Sequence, residues 1–471
     1  MSILWTAEEA ARATGGKIAG SWQAMGVSID TRTLEPGDLF VALTGEARDG
    51  HQFVADAIAK GAVAALVSRA IEGVPAEKLL IVADTLDGLN ALGRAARART
   101  QARVAAVTGS VGKTSSKEAL KAILSPQGKT HASVASYNNL WGVPLTLARM
   151  PADTQFAIIE IGMNHADEIR PLTRLARPHA ALITTVEAVH IEHFSGIEGI
   201  ADAKAEIFEG LEPGGAAVIN HDNGQYGRVR DTAQRLGIAS ILSFGSDPAC
   251  DAALISYAPG ETGSQVTARV RGQTLSYVVG APGRHLVQNS LGILLVVSAL
   301  GADVAKAAAS FAQVGAAKGR GSRSRIAIGS DAFELIDESY NANPASMAAA
   351  LALLGEAKPG PSGRRIAVLG DMLELGPGGP DMHEGLIAPV TNAGCDLVFC
   401  SGKLMARLWA VLPPERRGAY AETSAILLPL VDAAIRAGDV VMVKGSFGSR
   451  MGLIVDALKS RQTVEGAVSR A

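Results

Sequence analysis

The heptad Thr108-Gly109-Ser110-Val111-Gly112-Lys113-Thr114 has the residue types and spacing to hold a chain of phosphates. Its glycines let the backbone turn tightly enough for successive N–H groups to face one anion. Lys113 adds a charge able to reach β- and γ-phosphates, and the Thr114 hydroxyl, followed by Ser115, is placed to coordinate Mg²⁺. A lysine–phosphate contact at about 4 Å is worth ~4 kcal/mol at an effective dielectric of ~20. The apolar run Val104–Val107 predicts a strand before the loop, and Ala119, Leu120, Ile123 and Leu124 predict a helix after it. The loop therefore sits at a helix N-terminus, where the helix dipole favours negative charge. The general phosphate-loop pattern has glycine where this chain has Val107.

Other chemistry-bearing residues are scattered downstream. Glu160 ends the apolar run Ala157-Ile158-Ile159, and the carboxyl end of a buried parallel strand is where such sheets bind ligands. His190 and His193, three apart, have a spacing that zinc can use, but no cysteine lies near them and zinc is set aside. Lys204 lies in Ile200–Phe208, whose spacing fits an amphipathic helix. On local grounds, Asp30 and Arg32 read equally as a surface ion pair, and Asn138-Asn139 as turn formers.

The chain that positions these residues has 471 residues, enough for two to four domains. Hydrophobic residues form 48% and charged residues 19%, a folded composition. With 44 basic and 46 acidic residues the net charge is -2, which provides no electrostatic case for a nucleic-acid binder. Cys250, Cys395 and Cys400 form no disulfide framework, Met1–Gly16 is no signal peptide, and the apolar run Leu291–Leu300 is too short to cross a bilayer. A soluble, cytoplasmic protein is expected. Strands at Asp38–Leu43, Ala62–Val67 and Leu79–Val82 predict a small α/β unit over 1–100, and Arg94–Arg103 reads as an exposed helix leading out of it. Strands at Val104–Val107, Ala157–Ile159, Ala181–Ile183 and Ala216–Ile219 predict a central parallel sheet over 101–316. Gly315–Ser322 reads as a linker. Strands at Ile366–Leu369, Leu397–Cys400 and Val440–Val443 predict a third α/β unit over 317–471.

Several blocks, in order, resemble the Mur ligase family, whose TGxxGKT[ST] loop couples ATP cleavage to amide-bond formation. They begin with Ser28–Arg32, Pro36–Leu43, Gly45 and Asp49-Gly50-His51, and continue through Tyr137–Asn139 with Gly142–Thr146, Ile158–Gly162, Glu187–Phe194 and Ile200–Phe208. Gly283-Arg284-His285 with Asn289 is similar to the adenine-side GxHNxxN motif, with Leu286 replacing its asparagine. Gly319-Arg320, Asp337–Pro344, Gly370–Gly376, His383-Glu384 and Val443–Ser446 complete the series.

The resemblance implies three α/β domains: a sugar-nucleotide-binding unit, a central phosphate-loop ATPase and a Rossmann-like C-terminal unit. It implies that Ser28, Asp30, Arg32, Gly45, Asp49 and His51 hold the UDP part of the donor, with Asn138 and Asn139 beside the substrate channel. It makes Thr108–Ser115, Asn289, Arg320, Asp337, Tyr340 and Asn341 nucleotide-binding. Thr114, Glu160, His190 and a carbamylated Lys204 become Mg²⁺ ligands, and Lys113, Lys204 and Arg320 the catalytic set. Asp337–Asn343 resembles the branch that joins D-alanyl-D-alanine to UDP-N-acetylmuramoyl-tripeptide through an acyl phosphate, working as a monomer with ATP and Mg²⁺. The rivals are the branch adding one amino acid, whose diaminopimelate-adding members carry a DNPR signature not found here, and folylpolyglutamate synthase, in which Ser28–His51 would have no role. A phosphate-loop binding protein without ligase chemistry would need neither Glu160 nor Lys204.

Overall fold

Short apolar runs become the inner strands of three successive sheets, and the loops at their carboxyl ends carry most of the residues singled out above. The computed structural model describes residues 3–461 apart from 46–47, 135, 190, 261–262 and 317–318. The first sheet has the order Lys17–Ile18, Leu79–Ile81, Ala64–Val67, Asp38–Val41, Gly26–Ser28, parallel except at Lys17–Ile18. Its alternation sends Leu39, Val41 and Leu66 towards Leu89 and Leu92 of the helix Thr85–Ala98. Phe40, Ala65 and Val67 face Val54 and Ala57 on the other side.

The basic segment Arg94–Arg103 departs from its expected role as an exposed helix. It splits between the last turns of Thr85–Ala98, a short connection, and the strand that begins at Arg103. The helical repeat Leu89, Leu92, Gly93, Ala96, Arg97 runs straight through the basic residues and is buried.

The central sheet has nine strands in the order Gln273–Val279, Ser264–Val270, Ala252–Pro259, Ser240–Gly245, Ala216–Asn220, Ala180–Ile183, Arg103–Thr108, Phe156–Glu160, Thr130–Ala132. All are parallel except the terminal Ser264–Val270 and Gln273–Val279, which form a hairpin turned at Arg271 and Gly272, both with positive φ. Helices Lys113–Leu124 and Arg284–Ala299 cover one face, and Ile169–Ala176 and Ile197–Ala205 the other. The run Leu291–Leu300 thus packs in this core, and among the described residues no helix is long and apolar enough to cross a membrane.

The third sheet has the order Ser322–Ile328, Asp331–Glu338, Val440–Lys444, Arg365–Gly370, Leu397–Ser401, Arg417–Ala421, parallel after its first antiparallel pair. In the central sheet, the connection leaving Arg103–Thr108 runs to the edge strand Thr130–Ala132, opposite to the connections leaving its neighbours Phe156–Glu160 and Ala180–Ile183. In the third, Val440–Lys444 is reached from Arg417–Ala421 by a connection running back against those that lead to its neighbours Asp331–Glu338 and Arg365–Gly370. Such reversals open crevices at the carboxyl ends of strands.

Candidate functional site

Gly109 and Gly112 turn the loop with φ of 145° and 90°, and Gly112 caps the helix Lys113–Leu124. A side chain at Gly109 would collide with Thr184, so that position needs glycine for space as well as for backbone angle; Gly112 needs it for its angle, and a Cβ there would lie 2.6 Å from Asn289 Nδ2 and push that side chain aside. The loop is braced from behind: Ser110 N–H donates to Thr185 O at 2.8 Å, Ser110 Oγ to Glu187 O at 3.0 Å, and Thr184 Oγ1 to Val111 O at 2.5 Å. Thr108 is buried in the strand end. Lys113 Nζ donates to Gly109 O at 2.6 Å, folding its charge over the cradle.

A carboxylate stands opposite the loop. Glu160 is buried, and its Oε1 accepts from Thr114 Oγ1 at 3.1 Å and Asn138 Nδ2 at 2.7 Å. Its Oε2 is buried without a hydrogen-bond partner. An orphaned carboxylate oxygen beside a threonine hydroxyl is a hard oxygen donor set, and these residues fit Mg²⁺. His190 lies outside the described residues, and His193 pairs with Glu192 at 3.5 Å.

Two lysines share this region. Lys113 is half-buried, and the atoms around it strip away water and push its pKa down to about 8. Glu160 opposes that shift and Arg320 reinforces it. Lys204, near the end of Ile197–Ala205, is 2% exposed, and burial followed by the charge of Lys113 holds its pKa well below the usual lysine range. Lys204 is thereby biased to the neutral amine.

From the third unit, Arg320 lies over the Tyr340 ring, 4.5 Å from its centroid. Tyr340 N–H donates to Gly319 O at 3.2 Å, and Phe447, 76% exposed, stands behind the ring at 6.0 Å. Arg320, Asn289 and Ser115 wall one small cavity. A second, of about 210 Å³, lies between Val111, Thr184, Glu187 and Asn289 on one side and Glu338 and Ser346 on the other. Asp337 and Asn341 are satisfied within their own unit. Asp337 accepts from Ser339 Oγ at 2.7 Å and Lys459 Nζ at 3.0 Å, while Asn341 Oδ1 accepts from Ala342 N–H at 2.8 Å.

A larger cavity of about 1120 Å³ runs from the first unit to the central one, lined by Asp30, Arg32, Gly45, Tyr137, Asn139, Trp141, Gly162 and Glu168 among others. Asp30 and Arg32 pair at 2.6 Å in its wall. Asn139 Oδ1 accepts from Gly142 N–H at 3.0 Å, starting the helix Gly142–Ala148. Ser28 turns inward onto Asp30 O at 3.1 Å. His51 is buried: Nε2 accepts from Ser68 N–H at 2.9 Å, so Nδ1 carries the proton donated to Asp49 at 2.6 Å. This pair braces the loop behind the cavity.

Three site-adjacent residues escaped the sequence-derived site set. Lys444 is buried at the end of its strand, bonded to Glu338 at 3.2 Å and Asn341 O at 2.9 Å. His285 shares the second cavity with Glu338, and burial lowers its pKa. Lys117 is fully buried one turn after Lys113. Lys444 and His285 stood inside recognised blocks, whereas Lys117 carried no signal beyond being a lysine on the inner side of a helix.

Comparisons with known proteins agree with this arrangement. The description "Mur ligase family, catalytic domain" matches residues 23–100, "Mur ligase middle domain" 107–297, and "Mur ligase, glutamate ligase domain" 323–447. The UDP-N-acetylmuramoyl-tripeptide--D-alanyl-D-alanine ligase of Rickettsia prowazekii (strain Madrid E) is 33% identical over 456 residues, covering 96% of this chain and 99% of that protein. Its counterpart in Bacillus subtilis (strain 168) is 33% identical over 438 residues, covering 92% and 93%. The crystal structure of MurF from Acinetobacter baumannii has a TM-score of 0.84 at 30% identity, over 96% of this chain and 98% of that one. This chain belongs to the Mur ligase family.

Proposed function

We propose that this chain is an ATP-dependent ligase that joins D-alanyl-D-alanine to UDP-N-acetylmuramoyl-tripeptide, completing the cytoplasmic peptidoglycan precursor. The observation that carries this reading is the junction at Asn138–Asn139. Asn138 holds Glu160 against the phosphate loop, and Asn139 lines the large cavity. A donor held in that cavity brings its terminal carboxylate to the γ-phosphate. The carboxylate attacks phosphorus and ADP leaves, giving an acyl phosphate; the dipeptide amine then attacks the acyl carbon, and phosphate leaves with the amide formed. The reading includes a monomer in a reducing compartment, supported for the latter by three buried free thiols.

The protein's part is placement and charge. The turns at Gly109 and Gly112 aim backbone N–H groups at the phosphates, Lys113 and Arg320 offset the meeting of two anions, and Asn289 closes the cradle. Thr114, Glu160, His190 and a carbamylated Lys204 would hold Mg²⁺, which supplies Lewis-acid stabilisation of the transferring phosphoryl group. Neutral Lys204 is the form that adds to carbon dioxide, forming an N–C bond and releasing a proton. Lys204→Ala should be nearly inactive and partly restored by short carboxylic acids; full activity without them would contradict the carbamate.

The test of the whole reading is ADP formation with UDP-linked dipeptide and tripeptide donors, each offered D-alanyl-D-alanine or a free diamino acid. Turnover should require the tripeptide and the D-dipeptide together. Turnover confined to the dipeptide donor with a free amino acid would place the chain in the single-residue-adding branch.

A further inference from the structure

A buried lysine that no step of the ligation uses lies one turn beyond the phosphate loop. Lys117 follows Lys113 on the same face of the helix Lys113–Leu124 and is 0% exposed. Its Nζ donates to Ser133 O at 2.8 Å and pairs with Glu118 at 2.7 Å. Ser133 follows the edge strand Thr130–Ala132, and its Oγ accepts from Glu160 N–H at 3.3 Å. The segment then brings Ser136 Oγ within 3.5 Å of Thr114 Oγ1 and Asn138 onto Glu160 Oε1. Tyr137, Asn139 and Trp141 of the same stretch line the large cavity.

An aliphatic side chain could fill this space without desolvating a charge. What the ammonium adds is directed donors that fix one register between helix and segment. We propose that Lys117 is a positioning residue that locks Ser133, and with it residues 136–139, to the phosphate-loop helix, so that the seat of the loop sets both the Asn138–Glu160 contact and the wall of the donor cavity. Its activity readouts rest on the ligase reading; its binding readout rests only on the donor cavity.

The experiment is a double-mutant cycle of Lys117→Met and Asn138→Ala in the full chain. It follows kcat, the KM for ATP and melting temperature, with the Kd of UDP-N-acetylmuramoyl-tripeptide measured calorimetrically without nucleotide or metal. Lys117→Met should lower kcat by about tenfold or more while the KM for ATP stays within about twofold. The donor Kd should weaken by about threefold or more. With Asn138→Ala already present, Lys117→Met should lower kcat by only about twofold, because both act through one contact. Additive losses, an unchanged donor Kd, or parallel falls in both affinities and in melting temperature would overturn the proposal. If the wild type shows no ligation with these substrates, the ligase reading fails by itself, and the donor Kd and melting temperature still decide the role of Lys117. If Lys117→Met does not fold, Lys117→Gln, whose shorter side chain cannot span the distance to Ser133 O, replaces it in the cycle with the same expected non-additivity, and additivity overturns the proposal there too.

Discussion

Where the first unit meets the central one, Trp5 donates its indole N–H to Ala148 O at 2.9 Å, and Arg99 lies 4.1 Å over the Trp5 ring while bonding Leu4 O at 2.8 Å. Arg97, 4% exposed, donates to Ala176 O and Arg177 O, both at 2.8 Å. Leu145 and Ala148 pack in the same apolar cluster as Leu89 and Leu92. Where the central unit meets the third, Glu187, His285, Asn289, Glu338 and Arg320 stand around cavities together with apolar groups such as Leu286 and Val314. Every buried member of the third unit's apolar clusters lies at or beyond Ile326. Parting the first seam would expose apolar surface and strip buried carbonyls of their donors; parting the second exposes polar groups that water can satisfy. The first seam therefore fixes the donor cavity to the phosphate loop, whereas the second, among the described residues, shares no apolar cluster between its two units.

The largest loss of activity is expected at the loop between the seams. Lys113→Ala should lower ligation by about 10²–10³-fold, the scale of losing one preorganised charge-stabilising donor. Its melting temperature should match the wild type, since among the described residues the Lys113 side chain bonds only to its own loop. Substantial turnover in the purified variant would sink this assignment.

Arg97→Ala attacks the first seam and should do the reverse. It leaves the buried Ala176 O and the partly buried Arg177 O without their donor and a hole beneath the helix Thr85–Ala98, destabilising by about 2–4 kcal/mol. Nucleotide affinity at low temperature should stay near that of the wild type. An unchanged unfolding midpoint in denaturant would show that this arginine is not structural.

Tyr340 tests the second seam more gently. If its ring holds Arg320 by the cation–π contact, Tyr340→Phe keeps kcat near wild type and Tyr340→Leu loses about fivefold, on the scale of ~1 kcal/mol for a partly exposed pair. Equal losses in both variants would mean that the phenol hydroxyl, not the ring face, matters.

The two seams also differ in how far the sequence revealed them. The phosphate loop was legible because its signal is local: strand, glycine turn and helix adjoin, and Glu160 announces itself at a strand end. The positions of Arg320 and Tyr340 followed from recognisable blocks. Arg97 was misread as part of an exposed helix because its carbonyl partners lie some eighty residues away, and composition outweighed the helical repeat that buries it. Ser28, His51 and Asp337 stand in the expected blocks, yet their polar atoms turn to neighbours within their own units. A motif identifies a residue but not the direction of its side chain. The hairpin Ser264–Val270 and Gln273–Val279 was absent from the sequence-derived strands because its half-exposed alternation lacks the continuous apolar runs of inner strands.

The smallest expected effect is a pH response confined to the first seam. His179 precedes the strand Ala180–Ile183, and its Nδ1 accepts from Val104 N–H at 3.0 Å, so protonating that nitrogen would break a bond at the root of the phosphate-loop strand. Burial pushes its pKa down from 6.5 to about 4; the charges of Arg103, Arg97 and Arg177 act in the same direction, and Glu212 opposes them. Above 6.5 both folded and unfolded chains hold His179 neutral, and it contributes no pH dependence. Between 6.5 and about 4 the unfolded chain binds a proton that the folded chain refuses, so stability falls with falling pH through that window. Partial exposure screens the effect and keeps it small. His179→Asn can retain an oxygen acceptor for Val104 N–H and removes the titration. The wild type should therefore lose more melting temperature than this variant between about pH 7 and about pH 5. Lys113→Ala, which leaves the first seam intact, should keep the wild-type slope. Identical slopes for the wild type and His179→Asn would remove His179 from the acid response and leave that response to the carboxylates.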